Sequence, residues 1–467
     1  MSDFKKRKAE LAKLGESLSA TQLQQFHAQM AELGDFEQQL ETLDIQGRAL
    51  SRTIGEEKKR GQDVNALLAE KKALSQQINA LEAQISSLAE QLLQTFKPEE
   101  AGDVALDEVA EEPSLPRYRW KVMQGVVIRN YSEDMQAAWD AYVTQNPASS
   151  IYHLSAWKTV IETAFGHETA YLYAADAQGN LCGVLPLVRL KSPLFGDFVV
   201  SIPYFNYGGA LGEHAEVESA LMLQASQRFA GTTVGHIEWR DVVRRASYSV
   251  REDKAAMILA LPETEEVLWS QLGTKLRAQI KKPQKEAPML LIGGEEYLED
   301  FYAVFATNMR DLGTPVYAKS FFAIILRQLG KKARLVVIRH QGKPVSAAFL
   351  LGFRGQLEIP WASTVREANS LSMNMLLYWE VLRFAIREGY HQFDFGRSTR
   401  DAGTYKFKAQ WGAQPKQLYW HYWLPEGKEL PRLNPDNPKF KLAIAIWQRL
   451  PLWLTKLIGP PVVKYLP

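Results

Sequence analysis

The second half of this chain repeats a pattern of the first half, and this repeat limits the possible folds more than any other feature. Residues 170–187 read as an apolar strand, a turn at Gly179 and a second apolar strand, which is the pattern of a β-hairpin. The same pattern returns 163 positions later, in residues 333–350, with its turn at Gly342. Two hairpins in register predict two domains of one kind.

Each hairpin is followed by three further elements in the same order. In the first and second copy these are a strand at 202–204 and 359–361, a helix at 216–229 and 371–388, and a final strand at 236–239 and 392–395. Strands that alternate with helices are typical of α/β folds. The sequence therefore predicts tandem α/β domains over residues 119–260 and 261–425.

The first 97 residues carry a different signal, a seven-residue apolar repeat. One seam position is filled by Val64, Ile78, Ile85 and Leu92, and the other by Leu67, Leu74, Leu81 and Leu88. Residues 21–54 carry a second helical pattern, and Gly55 and Gly61 interrupt the chain between the two. We expect a long antiparallel α-helical coiled-coil hairpin over residues 1–97.

An acidic segment separates this hairpin from the repeat. Residues 98–113 carry seven acidic and no basic side chains, so residues 98–118 are predicted to be a linker. Cys182 is the only cysteine and the histidines show no ligand spacing, so neither a disulfide nor a metal site is predicted. The N-terminus lacks an apolar signal segment and no run of 18 apolar residues occurs, so we expect a cytoplasmic protein.

Basic residues cluster near the predicted turn of the hairpin. They are Arg48, Arg52, Lys58, Lys59 and Arg60, a set that favours contact with phosphate groups. The run from Leu43-Asp44 through Ile54-Gly55 to residues 60–63 (RGQD) resembles the tRNA-binding N-terminal arm of bacterial seryl-tRNA synthetases. This resemblance implies binding of tRNA, with seryl-tRNA as the expected type. The open alternative is a plain coiled-coil arm, used for example to form a homodimer.

Two motifs of the second copy carry another resemblance. Residues 393–397 (FDFGR) and 403–412 (GTYKFKAQWG), with the repeated element order, resemble the FemAB peptidyltransferases. The exosortase-associated (PEP-CTERM) group of that family also shares residues 202–209 and 310–315. Such proteins have two GNAT-like domains and add amino acids from aminoacyl-tRNA to peptidoglycan precursors. The resemblance implies an aminoacyltransferase with aminoacyl-tRNA as co-substrate, no bound cofactor, and an amine of an envelope precursor as acceptor.

The Fem resemblance also implies roles for single residues. The lysine of its F-K-x-x-[FW] stretch is Lys408, whose ammonium would stabilise the carbonyl oxygen and the leaving hydroxyl; the alternative is a solvated lysine beside a strand. Arg310 is either an anion clamp for a phosphate or carboxylate of the acceptor or a plain surface residue, and Asp311 and Glu238 are candidate proton acceptors. The further candidates for substrate binding are Tyr204, Asn206, Tyr207, Trp361, Asp394, Arg397, Tyr405 and Lys406. Asp394 and Arg397 would orient one another or the substrate, or they would form a structural ion pair.

Two other functions stay open. A classical GNAT domain binds the CoA pyrophosphate at a loop of the pattern Q/R-x-x-G-x-G/A before a helix. The corresponding residues here, 366–371 (REANSL), lack both glycines of that pattern. An acyl-CoA N-acyltransferase that oligomerises through the coiled coil is therefore less favoured, and a non-catalytic envelope-polysaccharide assembly factor is the third reading. The basic and apolar tail, residues 426–467, either packs on the domains or rests on the inner face of the cytoplasmic membrane.

Overall fold

The computed structural model describes residues 63–95, 125–193, 195–245, 248–428 and 438–466, with individual positions between 36 and 57. The chain divides into two compact units, which meet in sequence between Leu115 and Pro116. Among the described residues, no helix combines the length and the apolar character that crossing a membrane requires.

The N-terminal unit contains one long described helix, α1 (Asn65–Thr95). Its buried side chains follow the predicted heptad seam, with Ile85 and Leu92 almost fully enclosed and Lys71 exposed. The described positions between 36 and 57 are helical, and a Cβ on Gly47 would lie 3.6 Å from Leu74. Most of the first arm and its turn lie outside the described residues, so the antiparallel hairpin stays a prediction.

The first half of the C-terminal unit contains nine strands and three helices among its described residues. In chain order they are β1 (Val127–Asn130), α2 (Gln136–Gln145), α3 (Ala156–Phe165), β2 (Glu168–Thr169), β3 (Leu172–Ala175), β4 (Leu181–Leu185), β5 (Val188–Ser192), β6 (Gly196–Val200), β7 (Leu211–Gly212), α4 (Ala215–Phe229), β8 (Ile237–Asp241) and β9 (Ser249–Arg251). A short 3₁₀ turn, Ile151–His153, precedes α3.

The second half has larger strands and ends in two helices. Its elements are β10 (Lys254–Ala260), α5 (Glu265–Gln271), α6 (Thr274–Gln284), β11 (Met289–Gly293), α7 (Leu298–Leu312), α8 (Lys319–Leu329), β12 (Ala333–His340), β13 (Lys343–Phe353), β14 (Gln356–Thr364), α9 (Met373–Arg387), β15 (Gln392–Thr399), α10 (Gly403–Ala409), β16 (Gln414–Gln417), β17 (Tyr419–Trp423), α11 (Pro438–Trp447) and α12 (Leu452–Val463). Short 3₁₀ turns precede α7, β12 and α9.

These strands form three sheets. A seven-stranded sheet has the order β11-β12-β13-β14-β15-β10-β16, a six-stranded sheet the order β2-β5-β6-β8-β17-β9, and a four-stranded sheet the order β1-β3-β4-β7. The two halves exchange strands, because β10 precedes residue 261 yet pairs with β15, and β17 returns to pair with β8. The mixed α/β class is as predicted. However, β10 and β17 each pair in the sheet on the other side of the domain boundary predicted at residue 260.

The predicted hairpins, helices and final strands of both copies are present. The strand predicted between the hairpin and the helix of the first copy is absent. Residues 202–204 were expected to match 359–361 as equivalent strands, and this is wrong, because β6 ends at Val200 and residues 201–206 form turns. Ile202 and Tyr204 have φ angles of 53° and 76°. Such left-handed conformations cannot belong to a pleated strand. The turn instead points side chains such as Tyr207 towards the second half of the unit.

A single apolar core joins the two halves of the C-terminal unit. Tyr152 and Phe205 from the first half belong to the same buried cluster as Phe322 and Phe349 from the second. Phe322 lies on α8 and Phe349 on β13, so this core covers one face of the seven-stranded sheet. A separate cluster under α6 and α9 covers the opposite face. This shared core fixes the turn at 201–207 against strands β14 and β15.

Candidate functional site

The site lies where two parallel strands separate. Strands β14 and β15 pair only between residues 356–358 and 392–394, and diverge beyond that point. Glu358 and Asp394 are the last pair in register. Both are buried, although each interrupts an otherwise apolar strand sequence. Two acidic side chains therefore lie next to each other inside the molecule, at the edge of the gap between the strands.

The first half of the unit supplies a tyrosine to each acid. Tyr152 donates a hydrogen bond of 2.8 Å to Glu358 Oε2, and Tyr207 donates one of 2.5 Å to Asp394 Oδ2. The Gly396 amide donates to Asp394 Oδ1 at 2.7 Å, whereas Glu358 Oε1 has no partner among the described residues. Burial raises the pKa of both carboxyls, and the charge of Asp394 raises that of Glu358 further. Burial and mutual repulsion therefore both favour the protonated form of the pair.

Lys408 reaches this site from helix α10. Its side chain is 9 % exposed, and its Nζ donates hydrogen bonds of 3.0 Å to the Gly396 carbonyl and 2.9 Å to the Arg397 carbonyl. Gly396 has a φ of 75° and lies in a bulge, since β15 advances three residues from Asp394 where β10 advances two. The bulge turns these carbonyls out of the ladder, and the lysine satisfies them.

Burial and nearby charges have opposite effects on the pKa of Lys408. Burial lowers the pKa of its ammonium to about 8, although the nearby charges of Asp394 and Glu358 act in the opposite direction. Most of the lysine is therefore still charged at pH 7. An ammonium has three donors and two are used, so one N–H is available to a ligand. The alternative reading of Lys408, a solvated lysine beside a strand, is wrong, because residues 403–409 are helical and Lys408 is the buried residue of that helix.

Arg397 presents a free cation beside this lysine. Its guanidinium lies 4.9 Å from the ring centre of Trp420, and the guanidinium of Arg240 lies 4.3 Å from the same ring. Arg240 is neutralised by Glu238 at 2.8 Å. Arg397 is exposed and forms no ion pair in the part of the chain that the structure describes. The expected pairing of Asp394 with Arg397 is wrong, because Asp394 is bound by Tyr207 and the Gly396 amide instead.

The two candidate proton acceptors are engaged in ion pairs. Burial alone would raise the pKa of Glu238, but Arg240 and a hydrogen bond of 2.5 Å from Tyr422 hold it below its usual value. Asp311 accepts hydrogen bonds of 2.9 and 2.7 Å from its neighbour Arg310, so the expected anion clamp is itself already paired. Glu238, stabilised in this way in its charged form, is a weak base.

The turn at 201–207 supplies further predicted residues to the same place. The Asn206 amide nitrogen and the Lys408 Nζ each lie 3.9 Å from the position a Cβ would take on Gly396. The structure therefore brings together Asn206, Tyr207, Asp394 and Lys408 around the bulge. Tyr204 is directed elsewhere, because its hydroxyl donates a hydrogen bond of 2.5 Å to the Lys464 carbonyl.

The remaining predicted residues lie around this group. Trp361 packs edge-on against Phe322 and Phe205, with ring centres 5.1 and 5.6 Å apart, and forms part of the shared core. Tyr405 is half-buried and Lys406 is exposed on α10. The five basic residues of the predicted arm tip, Arg48, Arg52, Lys58, Lys59 and Arg60, lie outside the described residues.

A cavity of about 270 Å³ lies beyond the end of the β14–β15 pairing. Its polar lining consists of Asn308, Ser363, Thr364, Asn369, Asn374 and Tyr378. Phe407 of α10 also lines it, next in sequence to Lys408. The cavity adjoins the start of α9, where amide groups of the first turn lack helical partners. It can therefore accept polar groups of a ligand.

Sequence reasoning missed four residues of the site: Glu358, Tyr152, Arg240 and Trp420. A signal for Glu358 was present, because an acid inside the apolar run 357–361 (LEIPW) needs a buried partner. Tyr152 and Trp420 carry no comparable local signal. They reach the site only because the two halves share a core and exchange strands.

Comparison with known proteins identifies a family model for part of the chain and solved structures with a similar fold. The acetyltransferase (GNAT) domain family matches residues 273–409. The fold is similar to that of FemX, with a TM-score of 0.50 and 13 % identity over 63 % of this chain and 96 % of that one. It is also similar to the C-terminal domain of a putative lysylphosphatidylglycerol synthetase from Agrobacterium fabrum (TM-score 0.44, 12 % identity, 62 % and 91 % of the chains). No curated protein matches the sequence significantly.

A tandem GNAT protein from the clavulanic acid biosynthesis pathway is also similar, with a TM-score of 0.41 and 12 % identity over 66 % of this chain and all of that one. Residues 273–409 contain strands β11 to β15 and helix α10, and hence Glu358, Asp394 and Lys408. The prediction of a GNAT-like mixed α/β fold is confirmed, and so is the prediction of an acyltransferase.

Proposed function

We propose that this protein is an aminoacyltransferase that moves an aminoacyl group from aminoacyl-tRNA to an amine of a cell-envelope precursor. The observation that carries the proposal is the position of Lys408, a buried cation with one free donor at the gap between the parallel strands of a GNAT-type domain. The overall similarity to FemX in fold supports it. The Fem resemblance of residues 393–397 and 403–412 lies at this same gap.

The reaction needs little from the protein beyond positioning and charge stabilisation. The acceptor amine attacks the carbonyl carbon of the aminoacyl ester, and the carbonyl oxygen becomes an oxyanion. The Lys408 ammonium stabilises that charge through its remaining N–H. The intermediate then collapses, the ester C–O bond breaks, and the ribose hydroxyl leaves with a proton that the amine has given up. The new bond is an amide.

The Glu358–Asp394 pair sets the charge of the lysine in this scheme. Without the two carboxyls, the buried ammonium would release its proton more easily. The pair is covered by Tyr152 and Tyr207, so it acts on the lysine and not directly on the substrate. Its role is therefore to position and tune Lys408.

Arg397 is suited to bind a negatively charged part of a substrate. It is exposed, unpaired by acids in the described part of the chain, and held on the face of Trp420. Both proposed substrates carry phosphates, and a guanidinium binds phosphate through paired hydrogen bonds. Asn206 and Tyr405 lie on neighbouring elements and are proposed to bind the acceptor, with Lys406 as a peripheral contact.

The N-terminal unit enters the proposal as a tRNA-binding arm similar to that of seryl-tRNA synthetases. Helix α1 supplies the straight scaffold that such an arm needs, and the basic residues near position 60 supply the charge. Seryl-tRNA is then the expected donor. A cytoplasmic location, where aminoacyl-tRNA is found, belongs to the same proposal.

A second candidate is an acyl-CoA N-acyltransferase, with the coiled coil used to form oligomers. The cavity beside α9 favours it, since Ser363, Thr364 and Asn374 offer polar contacts near a helix start. The absence of glycine in residues 366–371 and the exposed Glu367 within them make binding of a pyrophosphate there less favourable.

The nucleic acid content of the purified protein tests the proposal against this alternative. We expect tRNA to copurify at low salt, and the protein to slow the spontaneous hydrolysis of bound aminoacyl-tRNA. Calorimetry with CoA measures the binding that the second candidate function requires. Tight CoA binding without any affinity for tRNA would replace the proposal with the second candidate.

A further inference from the structure

Exposed large apolar side chains are concentrated in one corner of the C-terminal unit. Twelve such residues occur in the described part of the chain, and six of them belong to this corner. They are Leu312, Ile444, Ile446, Trp453, Leu457 and Ile458. Scattered apolar residues on a surface need no explanation, but a contiguous set marks an interaction site.

Helix α12 shows how the corner is built. Thr455, Gly459 and Val463 are buried at a spacing of four residues, which defines one face of the helix. Gly459 packs so closely on Val316 that a Cβ would lie 2.9 Å from its backbone. The opposite face carries Trp453, which is 67 % exposed, and Leu457, which is 65 % exposed.

Helix α11 continues this surface next to the end of α7. A Cβ on Gly313 would collide with the side chain of Ile444, so the two backbones are in close contact. The Gln448 side chain also donates a hydrogen bond of 3.1 Å to the Asp311 carbonyl. Leu312, which lies between Asp311 and Gly313, is 59 % exposed. The apolar residues of α7, α11 and α12 thus belong to one surface, here called the apolar corner.

The tail segment that supplies five of the six apolar residues carries charge of a single sign, and the nearby Asp311 of α7 is paired with Arg310 and Arg366. Residues 438–467 contain five basic side chains, Lys439, Lys441, Arg449, Lys456 and Lys464, and no acidic one. Arg449 is exposed between the two helices. Lys456 extends along the surface, with its ammonium 5.3 Å from the Tyr302 ring centre. Lysine and arginine beside exposed tryptophan and leucine are the composition of segments that lie in a lipid interface.

We propose that the apolar corner binds the surface of an anionic lipid bilayer, with Trp453 and Leu457 inserted among the lipids and the basic side chains on the headgroups. A protein partner of this surface would need a compensating acidic rim, whereas anionic headgroups supply negative charge at every position. The helices are short and interrupted by Pro451, Pro460 and Pro461, so they rest on the bilayer and do not cross it.

The corner also adjoins the aromatic residues near the candidate site. The Lys464 carbonyl accepts hydrogen bonds from Tyr204 at 2.5 Å and from His167 at 2.7 Å. Tyr204 lies in the same turn as Asn206, which approaches Lys408. A bilayer on the apolar corner would therefore lie near the residues proposed to bind an acceptor. The inference itself does not depend on the catalytic proposal.

Vesicle sedimentation tests the inference without any activity assay. The full-length protein is mixed with vesicles of phosphatidylcholine alone, or of equal parts phosphatidylcholine and phosphatidylglycerol. We expect binding to the anionic vesicles only, weakened by added salt and reduced about tenfold or more by Trp453→Ser with Leu457→Ser. The matched control, Val267→Ser with Met289→Ser, removes exposed apolar residues elsewhere and should bind as the wild type does.

Two results would overturn the inference. One is absence of binding to anionic vesicles, or binding that the Trp453 and Leu457 substitutions do not change. The other is a lipid-free homodimer in light scattering that these same substitutions dissociate, which would identify the corner as a protein interface. Both substituted residues are largely exposed, so unfolding is not expected, and a thermal unfolding curve verifies this for each variant.

Discussion

Glu358 and Asp394 are neighbours in register on the only parallel strand pair of the described seven-stranded sheet, and each accepts a hydrogen bond from a tyrosine of the other half of the unit. Two neighbouring carboxyls that are buried away from water do not both ionise readily. Both acids raise the pKa of Lys408, the lysine beside them. The three groups form one electrostatic unit.

The first prediction concerns Glu358. Because its pKa is raised in the folded state, the Glu358 carboxyl binds its proton more tightly there than in the unfolded chain, where its pKa is about 4.3. The contribution of Glu358 to stability should therefore fall as the pH rises above about 4.3, and Glu358→Gln should remove this part of the pH dependence. Urea unfolding at several pH values measures it.

Glu238→Gln is the contrasting control for this prediction. Glu238 is also buried and also bound by a tyrosine, but Arg240 holds its pKa below the usual value. Its contribution to stability is present above the unfolded pKa and disappears as the pH falls, so Glu238→Gln should lower stability at neutral pH. If the stability of wild type and of Glu358→Gln depends on pH in the same way, the pKa of Glu358 is not raised in the folded protein.

The second prediction concerns Tyr207, whose hydroxyl binds Asp394. Tyr207→Phe should lower the free energy of unfolding by about 1.5–3 kcal/mol, because a buried acid is deprived of a donor. Tyr171→Phe is the matched control, since the buried Tyr171 hydroxyl has no hydrogen-bond partner among the described residues. That substitution should be neutral or stabilising. Equal destabilisation of the two variants would contradict the importance of the Tyr207–Asp394 hydrogen bond.

Much of the fold could be predicted from sequence because the signals are local. The heptad pattern from Val64 corresponds to α1, and the repeated hairpins correspond to β3–β4 and β12–β13. The strand exchange of β10 and β17 could not be predicted, since nothing in either strand identifies the sheet edge to which it pairs. The turn at Ile202–Tyr204 resembled a strand because its residue types match those of β14.

The candidate site was predictable only where a motif carried it. Lys408 and Asp394 lie in the segments that resemble the Fem family, and Asn206 and Tyr207 lie in another. Tyr152 is 206 positions from Glu358, and no periodicity relates two residues at that separation. The Gly396 bulge, which determines where Lys408 points, depends on pairing between β10 and β15, which are far apart in the chain.

The third prediction concerns Lys408. If its ammonium stabilises the oxyanion, Lys408→Met should lower the transfer rate constant by about 10²-fold or more, as removal of one such donor does. Lys406→Met is the matched control, because Lys406 is exposed on the same helix at a rotation of about 200°. Thermal unfolding of both variants separates a defect in activity from a defect in structure.

The pH profile gives Lys408 a separate signature. The ammonium is present below its pKa of about 8 and absent above it, so the wild-type rate should decline as the pH rises through this value. In Lys408→Met the residual rate should lack that decline. A rate that keeps rising above pH 8 in the wild type, or near-normal turnover in the variant, would exclude this electrostatic role.

The fourth prediction concerns the arm. Changing Lys58 and Lys59 to Glu should weaken tRNA binding in a salt-dependent manner, with the slope of log K against log salt falling by about one for each phosphate that is no longer bound. Lys71→Glu with Lys72→Glu makes the same charge change at exposed positions on α1 and should have a smaller effect. If both double variants bind tRNA as the wild type does at low salt, the tip is not the binding surface.

The donor assay tests the central claim most directly. Labelled aminoacyl-tRNA and labelled acetyl-CoA are each incubated with the protein and an envelope-precursor extract, with and without ribonuclease, and the labelled amide product is measured. We expect transfer from aminoacyl-tRNA that ribonuclease abolishes and that Lys408→Met reduces about 10²-fold. Transfer from acetyl-CoA that survives ribonuclease, with none from aminoacyl-tRNA, would contradict it.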